Sequence, residues 1–90
     1  LPGAWEAADA CLYTAAGQRN RNHTGPFVRF EKVPFPMEEI LFDPQTSGGL
    51  LVALPMEDAG ALLAALRERD PDSAIIGAVV AQTEHTLEIV

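Results

Sequence analysis

Cysteine and positive charge are both scarce in this sequence. The single cysteine, Cys11, can form no disulfide within the chain, which is typical of a reducing compartment, so we expect a cytoplasmic location. Six Lys and Arg side chains stand against 13 Asp and Glu side chains, which gives a formal net charge of −7. Because surfaces that bind DNA or RNA are basic, this charge argues against a nucleic-acid partner.

Long apolar runs and a leader segment are also missing. No stretch approaches the roughly 20 apolar residues that a membrane-spanning helix needs, so we expect no membrane partner. The chain opens with Leu1, and no charged segment followed by an apolar one comes after it, so we expect no signal peptide. Ninety residues, 48% of them hydrophobic, allow at most one small domain. We therefore expect residues 1–90 to be a partial domain of a longer chain.

The first half of the chain alternates between apolar and polar segments. An alanine-rich stretch predicts a helix over residues 4–12, and β-forming residues predict a short strand over 27–33. The polar segment between them, residues 15–26, is typical of a loop. Pro34 and Pro36 are expected to break any regular element that follows.

The second half carries the clearest pattern. Apolar residues at helical spacing predict a helix over residues 56–69, with acidic residues near its start and arginines near its end. The continuous apolar run 49–54 follows a turn signal and is typical of a buried strand. Residues 74–81 and 86–90 predict the two strands of a hairpin. Together with the first half, these elements indicate the α+β class.

Between the two halves lies the loop DPQTSGG, residues 43–49, which consists of turn-forming and small polar residues. We expect Asp43 to accept hydrogen bonds from the backbone N–H groups that follow it, which would make the loop a structural turn. Alternatively, the loop could present backbone N–H groups and hydroxyls to a phosphate through Thr46, Ser47, Gly48 and Gly49. The lysine of a Walker-type phosphate loop is missing, so the structural turn is favoured.

Two other groups of side chains could bind a ligand, but each has a simpler explanation. Arg19 and Arg21 could bind phosphate, although such a polar run is more often a solvated loop. Glu38, Glu39 and Asp43 could hold a hard cation, but their spacing matches no dedicated calcium loop, and an exposed acidic connector is favoured.

The histidines and the cysteine indicate no reactive centre. His23 and His85 have no partner at the spacing of a zinc site. Cys11 lies in the predicted alanine-rich helix, where a buried and inert thiol is expected. We therefore predict no catalytic residue and no metal ligand in this chain.

The loop also resembles a known family. DPQTSGGLL closely resembles the C-terminal region of bacterial selenophosphate synthetases (selenide, water dikinases), which belong to the superfamily related to aminoimidazole ribonucleotide synthetase. The resemblance covers nearly the whole chain and includes LPGAWEAADA, Arg19-Asn20 followed by Gly25, the helix 56–69 and AIIGAVV. One departure is Ala15-Ala16, where the family has a pair of glycines.

The resemblance implies a fold and a function. It implies that residues 1–90 are the C-terminal part of an aminoimidazole-ribonucleotide-synthetase-like C-terminal domain, with a mixed sheet of about four short strands and two helices. It implies a full-length parent that converts ATP and selenide into selenophosphate, AMP and phosphate, with magnesium. In that family the reactive Cys or selenocysteine, its lysine and the metal-binding aspartates lie upstream of this region. The chain alone is then expected to be inactive and without a bound cofactor.

The resemblance also implies partners, and two alternatives stay open beside it. The expected partner is the upstream half of the same chain, in a parent that forms a homodimer.

The chain could instead belong to another ATP-dependent enzyme of the superfamily, in hydrogenase maturation or the purine pathway. It could also be a non-catalytic module that binds a partner through unpaired strand edges. The surfaces expected to associate are the strand 49–54 and the apolar face of Leu62, Leu63 and Leu66.

Overall fold

The computed structural model describes residues 2–45 and 47–90, and its α+β class agrees with the prediction. The elements are, in chain order, α1 (Ala4–Asp9), α2 (Ala15–Thr24), a 3₁₀ turn (Gly25–Phe27), β1 (Val28–Phe30), α3 (Phe35–Phe42), α4 (Met56–Arg67) and β2 (Leu87–Ile89). They form two compact units. The first contains the described residues up to Gly48 together with Gln82–Val90, and the second is Gly49–Ala81. In the part of the chain that is described, every helix is too short or too polar to cross a membrane.

The polar segment that was predicted to be a loop is the helix α2, so that prediction was wrong. Thr14 begins this helix, and its side-chain oxygen accepts a hydrogen bond of 2.9 Å from the Gly17 N–H. Glutamine and arginine are good helix formers, and packing against α3 supplies the stability that a short polar helix lacks by itself. The helix α1 was predicted correctly, but it ends at Asp9 rather than at residue 12.

A further helix, α3, begins where prolines were expected to break the chain. It starts directly after Pro34, and Pro36 lies in its first turn. The backbone N–H groups of a first helical turn have no partner within the helix, so a proline there removes no hydrogen bond. The two prolines therefore begin a helix instead of interrupting one.

The strands β1 and β2 form a parallel pair with the register Val28↔Leu87, Arg29↔Glu88 and Phe30↔Ile89. The hairpin predicted between residues 74–81 and 86–90 is therefore wrong, because the last strand pairs with β1. The expected sheet of about four strands with two helices is also corrected: the described residues form two strands and four α-helices. A parallel partner lies far away in the sequence, so local turn signals cannot reveal it.

An ion pair joins the two strands. Arg29 and Glu88 lie in register, and the Arg29 Nη2 atom is 2.9 Å from Glu88 Oε2. The Thr83 hydroxyl donates a hydrogen bond of 2.8 Å to the other carboxylate oxygen, Oε1. The Thr83 hydrogen bond first, and then the hydrogen bond from Arg29, lower the pKa of Glu88 below its ordinary value.

The second unit contains one confirmed element and two that were predicted wrongly. The helix α4, Met56–Arg67, ends two residues before its predicted end. Residues 49–54 and 74–81 were predicted to be strands, but they take part in no strand pairing in the described structure. Their apolar side chains are exposed, Leu50 by 95% and Val79 by 89%. A strand needs neighbours that satisfy its backbone groups, and residues 49–81 supply none.

A buried ion pair between α2 and α3 lies in the core of the first unit. The Glu39 side chain is 4% exposed, and its Oε1 atom lies 2.5 Å from Arg21 Nε. Glu39 also accepts a hydrogen bond from the Gln18 amide, and Arg21 Nη2 lies 3.0 Å from Glu38. Two predictions are therefore wrong: Glu39 is not part of an exposed acidic connector, and Arg21 is not in a solvated loop.

Aromatic rings flank this ion pair. The Cζ atom of Arg21 lies 4.9 Å from the ring centres of both Phe35 and Phe42. Phe42 also packs edge-on against Phe30 of β1, with ring centres 5.6 Å apart. Because the Glu39 carboxylate is almost fully buried, the two charges attract each other more strongly than they would at the surface.

Neutralising the buried carboxylate should destabilise the first unit more than neutralising an exposed one. We expect Glu39→Gln to lower the free energy of unfolding by about 2 kcal/mol, because Arg21 loses its buried counter-ion. The control Glu31→Gln removes an exposed carboxylate 3.4 Å from Arg29 and should cost less than about 1 kcal/mol. Urea unfolding followed by Trp5 fluorescence measures both changes. Equal losses would contradict a special role for the buried pair.

The acid titration of the chain should show the effect of the Thr83–Glu88 contact. Because the folded-state pKa of Glu88 is lowered from its ordinary value of 4.5, the stabilisation from this group is fully present above that pH. It is lost as the pH falls through the folded-state pKa. Thr83→Val should raise the pKa of Glu88 toward its value in the unfolded chain, as measured by NMR titration of the side chain. An unchanged midpoint would show that the Thr83 hydroxyl plays no part.

Candidate functional site

The DPQTSGG loop leaves the end of α3 and is held there by contacts with α2. The Thr14 hydroxyl donates a hydrogen bond of 2.8 Å to Asp43 Oδ1. The Asn20 side-chain amide donates one of 2.9 Å to the backbone carbonyl of Phe42. A Cβ atom added to the buried Gly17 would lie 3.7 Å from both the Phe42 oxygen and Asp43 Cα. The backbone of α2 therefore comes very close to the start of the loop.

The hydrogen bonds predicted from the backbone of Gln45 and Ser47 to Asp43 are not formed, and the third predicted donor, Thr46, lies outside the described residues. Among the described residues, the Asp43 carboxylate accepts from the Thr14 hydroxyl and not from the backbone of Gln45 or Ser47. The prediction assumed that the loop closes on itself, whereas the partner lies 29 residues away in the sequence. The turn is closed by the backbone, because the Gly48 N–H donates to the Gln45 carbonyl at 3.3 Å.

The four residues predicted to face a phosphate do not all lie in one compact unit of the described structure. Ser47 and Gly48 lie in the first unit, Gly49 belongs to the second, and Thr46 lies outside the described residues. A Cβ atom on Gly48 would lie only 3.0 Å from two side-chain atoms of Gln45, so the turn favours glycine there. A Cβ atom on Gly49 would meet open space.

Ser47 and Gly48 line a cleft of about 570 Å³ in the first unit. Small side chains of α1, including Ala4 and Ala7, contribute to its apolar lining, and Thr14 contributes a polar group. The volume falls within the range that is common for sites binding small molecules. Two of the predicted loop residues therefore lie where a ligand could contact them.

The charges in this cleft are negative. Glu39 and Asp43 are the charged residues among those that line it, and Glu39 is already paired with Arg21. The hydroxyls of Thr14 and Ser47 can form hydrogen bonds with a ligand, but no Lys or Arg belongs to the described lining. The described residues also contain no group of three His, Cys, Asp or Glu side chains placed to hold a metal ion. A phosphate here would need cations from elsewhere.

Tyr13 lines the cleft and interacts with Cys11. A hydrogen bond to Cys11, followed by burial and by nearby negative charges, raises the pKa of Tyr13 to about 12. The phenol therefore stays protonated at neutral pH, so it is a hydrogen-bond donor and not a base. Cys11 was predicted to be buried in a helix, but it is exposed and follows α1 with a φ of 58°. Glycine is the usual residue in that conformation after a helix, so the sequence does not mark the position.

Sequence reasoning did not find the residues that hold the loop. Thr14 could have been recognised as the first residue of a helix, because threonine before an alanine-rich segment is a helix-start signal. Asn20 lies in the segment 15–26 that was predicted to be a loop, and it is also part of the family resemblance. Neither residue reveals its partner at the end of α3, because the partners are 29 and 22 residues away.

Comparisons with known proteins find relatives along nearly the whole chain. A selenide, water dikinase of Desulfitobacterium hafniense strain Y51 is 48% identical over 79 residues, which are 88% of this chain and 23% of that protein. One of Agathobacter rectalis is 51% identical over 81 residues, 89% of this chain and 24% of that protein. One of Treponema denticola is 40% identical over 89 residues, 93% of this chain and 25% of that protein.

The resemblance first seen in DPQTSGGLL is confirmed by these relatives. No family model and no solved structure matches the chain. The chain spans about a quarter of the length of the curated relatives it matches. It is therefore related, over nearly all of its own length, to a segment of the selenide, water dikinases.

Proposed function

We propose that this chain is the C-terminal part of a selenophosphate synthetase. The full-length parent converts ATP and selenide into selenophosphate, AMP and phosphate, and it works in the cytoplasm as a homodimer. The observation that carries the proposal is the 40–51% identity to selenide, water dikinases, which extends over 88–93% of the chain. A parent in hydrogenase maturation or the purine pathway has no comparable support.

The contribution of this chain to the parent is a positioned loop. Ser47 and Gly48 line the cleft, where a hydroxyl and backbone N–H groups can contact a phosphate of ATP. Phosphoryl transfer depends on positioning and on neutralising the charge of the phosphates. The carboxylates of Glu39 and Asp43 cannot neutralise that charge. The cations and the nucleophile therefore belong to the rest of the parent.

Magnesium does not fit the described residues. It prefers carboxylates and water in an octahedral arrangement. Glu39 is committed to Arg21 and Gln18, which leaves Asp43 as the single available carboxylate in the cleft. No step through the metal follows from the residues of this chain.

The activity should require the full-length parent. With ATP and selenide, the parent should form AMP and selenophosphate, measured by chromatography and by phosphorus NMR. The 90-residue chain alone should form neither, because phosphoryl transfer needs cations and no Lys or Arg belongs to the described lining of its cleft. Selenide-dependent AMP formation by the 90-residue chain, above a mock purification, would contradict its inactivity. A folded parent that forms no selenophosphate would overturn the proposal.

The second unit is proposed to pack against the upstream half of the parent chain. Residues 49–81 are all described and none is buried, although Leu51 and Ile76 are large apolar residues exposed by 81% and 78%. Continuous apolar runs are typical of strands that are covered on both faces. About three quarters of the length of the relatives lies outside the matched segment. In the parent, the apolar side chains of residues 49–54 and 74–81 are then covered by the upstream half of the chain.

Binding between the two parts of a split parent tests this surface. The 90-residue chain should bind the separately expressed upstream half, because association covers apolar surface. Val79→Asp should weaken binding at least about tenfold by placing an unpaired charge in the contact. Val90→Asp is the matched control, because Val90 is also 89% exposed but lies outside the second unit. Calorimetric titration measures both, and equal effects of the two substitutions would contradict the proposed surface.

A further inference from the structure

We infer that α2 positions the start of the DPQTSGG loop at Asp43, with Thr14, Gly17 and Asn20 as positioning residues. Their contacts with the end of α3 and with the first loop residue lie within the first unit. The kinetic consequence of the inference rests on the proposed function, but the structural part does not. Asn20 is not among the residues that line the cleft, so it acts through the backbone that it holds.

Asn20 holds a carbonyl in the last turn of α3. Carbonyl groups in the last turn of a helix have no partner within the helix, and the Asn20 amide donates to the Phe42 oxygen at 2.9 Å. The Asp43 N–H donates to the Ile40 oxygen at 3.2 Å, so the last helical turn closes directly before the loop. Asn20 therefore sets the direction in which the chain enters Pro44.

Thr14 ties the first loop residue to the start of α2. Its oxygen accepts from the Gly17 N–H at 2.9 Å and its hydroxyl donates to Asp43 at 2.8 Å. Because one lone pair is already engaged, the hydroxyl proton is directed toward the carboxylate. Hydrogen bonds to a charged acceptor are stronger than those between neutral groups, so this contact holds Asp43 firmly.

Gly17 has no side chain, and this leaves room for the hydrogen bond between Thr14 and Asp43. A Cβ atom there would lie 3.1 Å from Thr14 Oγ1 and 3.7 Å from the Phe42 oxygen. A methyl group would displace the hydroxyl that serves Asp43. The backbone hydrogen bond that closes the turn, from Gly48 to Gln45, is long at 3.3 Å, so the loop depends on α2 for its order.

Amide hydrogen exchange at Gly48 tests the structural part without any activity. We expect Asn20→Ala and Thr14→Val to speed exchange about fivefold to tenfold, the effect of losing one hydrogen bond. Asn22→Ala and Thr24→Val are matched controls, because they remove the same groups from the same helix. The Thr24 hydroxyl donates to the Asn20 carbonyl and not to the loop. Thr14→Ser keeps the hydroxyl and should retain slow exchange.

Steady-state kinetics of the full-length parent test the functional part. Asn20→Ala and Thr14→Val should raise the apparent KM for ATP about fivefold to tenfold with a smaller change in kcat, because a misplaced loop loses a binding contact. The control changes at Asn22 and Thr24 should leave the KM unaltered.

The two measurements separate the ways in which the inference can fail. Unchanged exchange at Gly48 in both positioning variants would overturn it. Faster exchange with an unchanged KM for ATP would uphold the positioning by α2 and overturn the contact between loop and phosphate. A parent that forms no selenophosphate would overturn the proposed function, while the exchange rates would still decide whether α2 positions the loop.

Discussion

The ion pair between Arg21 and Glu39 is the interaction on which the rest of the first unit depends. Taking the Glu39 carboxylate out of water costs several kcal/mol, so the geometry around it must be favourable. Glu38 and Gln18 supply further partners, and the rings of two phenylalanines lie against the guanidinium. Because separating the pair would leave a buried charge without its partner, α2 and α3 are held in one relative position.

That position also determines where the loop begins. Asn20 is the neighbour of Arg21 in α2, and Phe42 lies one helical turn after Glu39 in α3, so the pairing of the charges brings Asn20 to the end of α3. Thr14, Gly17 and Asn20 are spaced three residues apart, which places them on one face of the chain entering and forming α2. The same helix pair therefore holds the core and the loop.

The sequence alone predicted the parts of the fold that depend on local pattern. The helix α4 was found because its apolar residues repeat at helical spacing. The helix α2 was not found, because its stability comes from a charge pair with a helix further along the chain. The apolar composition of residues 49–54 is typical of a buried strand. Composition shows that such a segment needs to be covered, but it does not show whether a pairing strand is present. In the site, the loop was recognised from its turn-forming residues, whereas the contact between Thr14 and Asp43 spans 29 residues and could not be foreseen.

For the proposed parent enzyme, the chemistry of the cleft bears on how the binding of phosphate would be divided between parts of the chain. A surface that binds phosphate without other parts of the protein has both backbone N–H groups and positive charge. In this cleft, the loop lies beside the carboxylates of Glu39 and Asp43 instead. The positive charge of Arg21 balances Glu39 and holds the two helices together, so it is not available to a ligand. A loop so placed can orient a phosphate only after its charge has been neutralised by cations from another part of the protein. In the proposed parent, the loop would then favour one geometry of the phosphate and would repel an anion that arrives without its counter-ion, because Asp43 lies nearby.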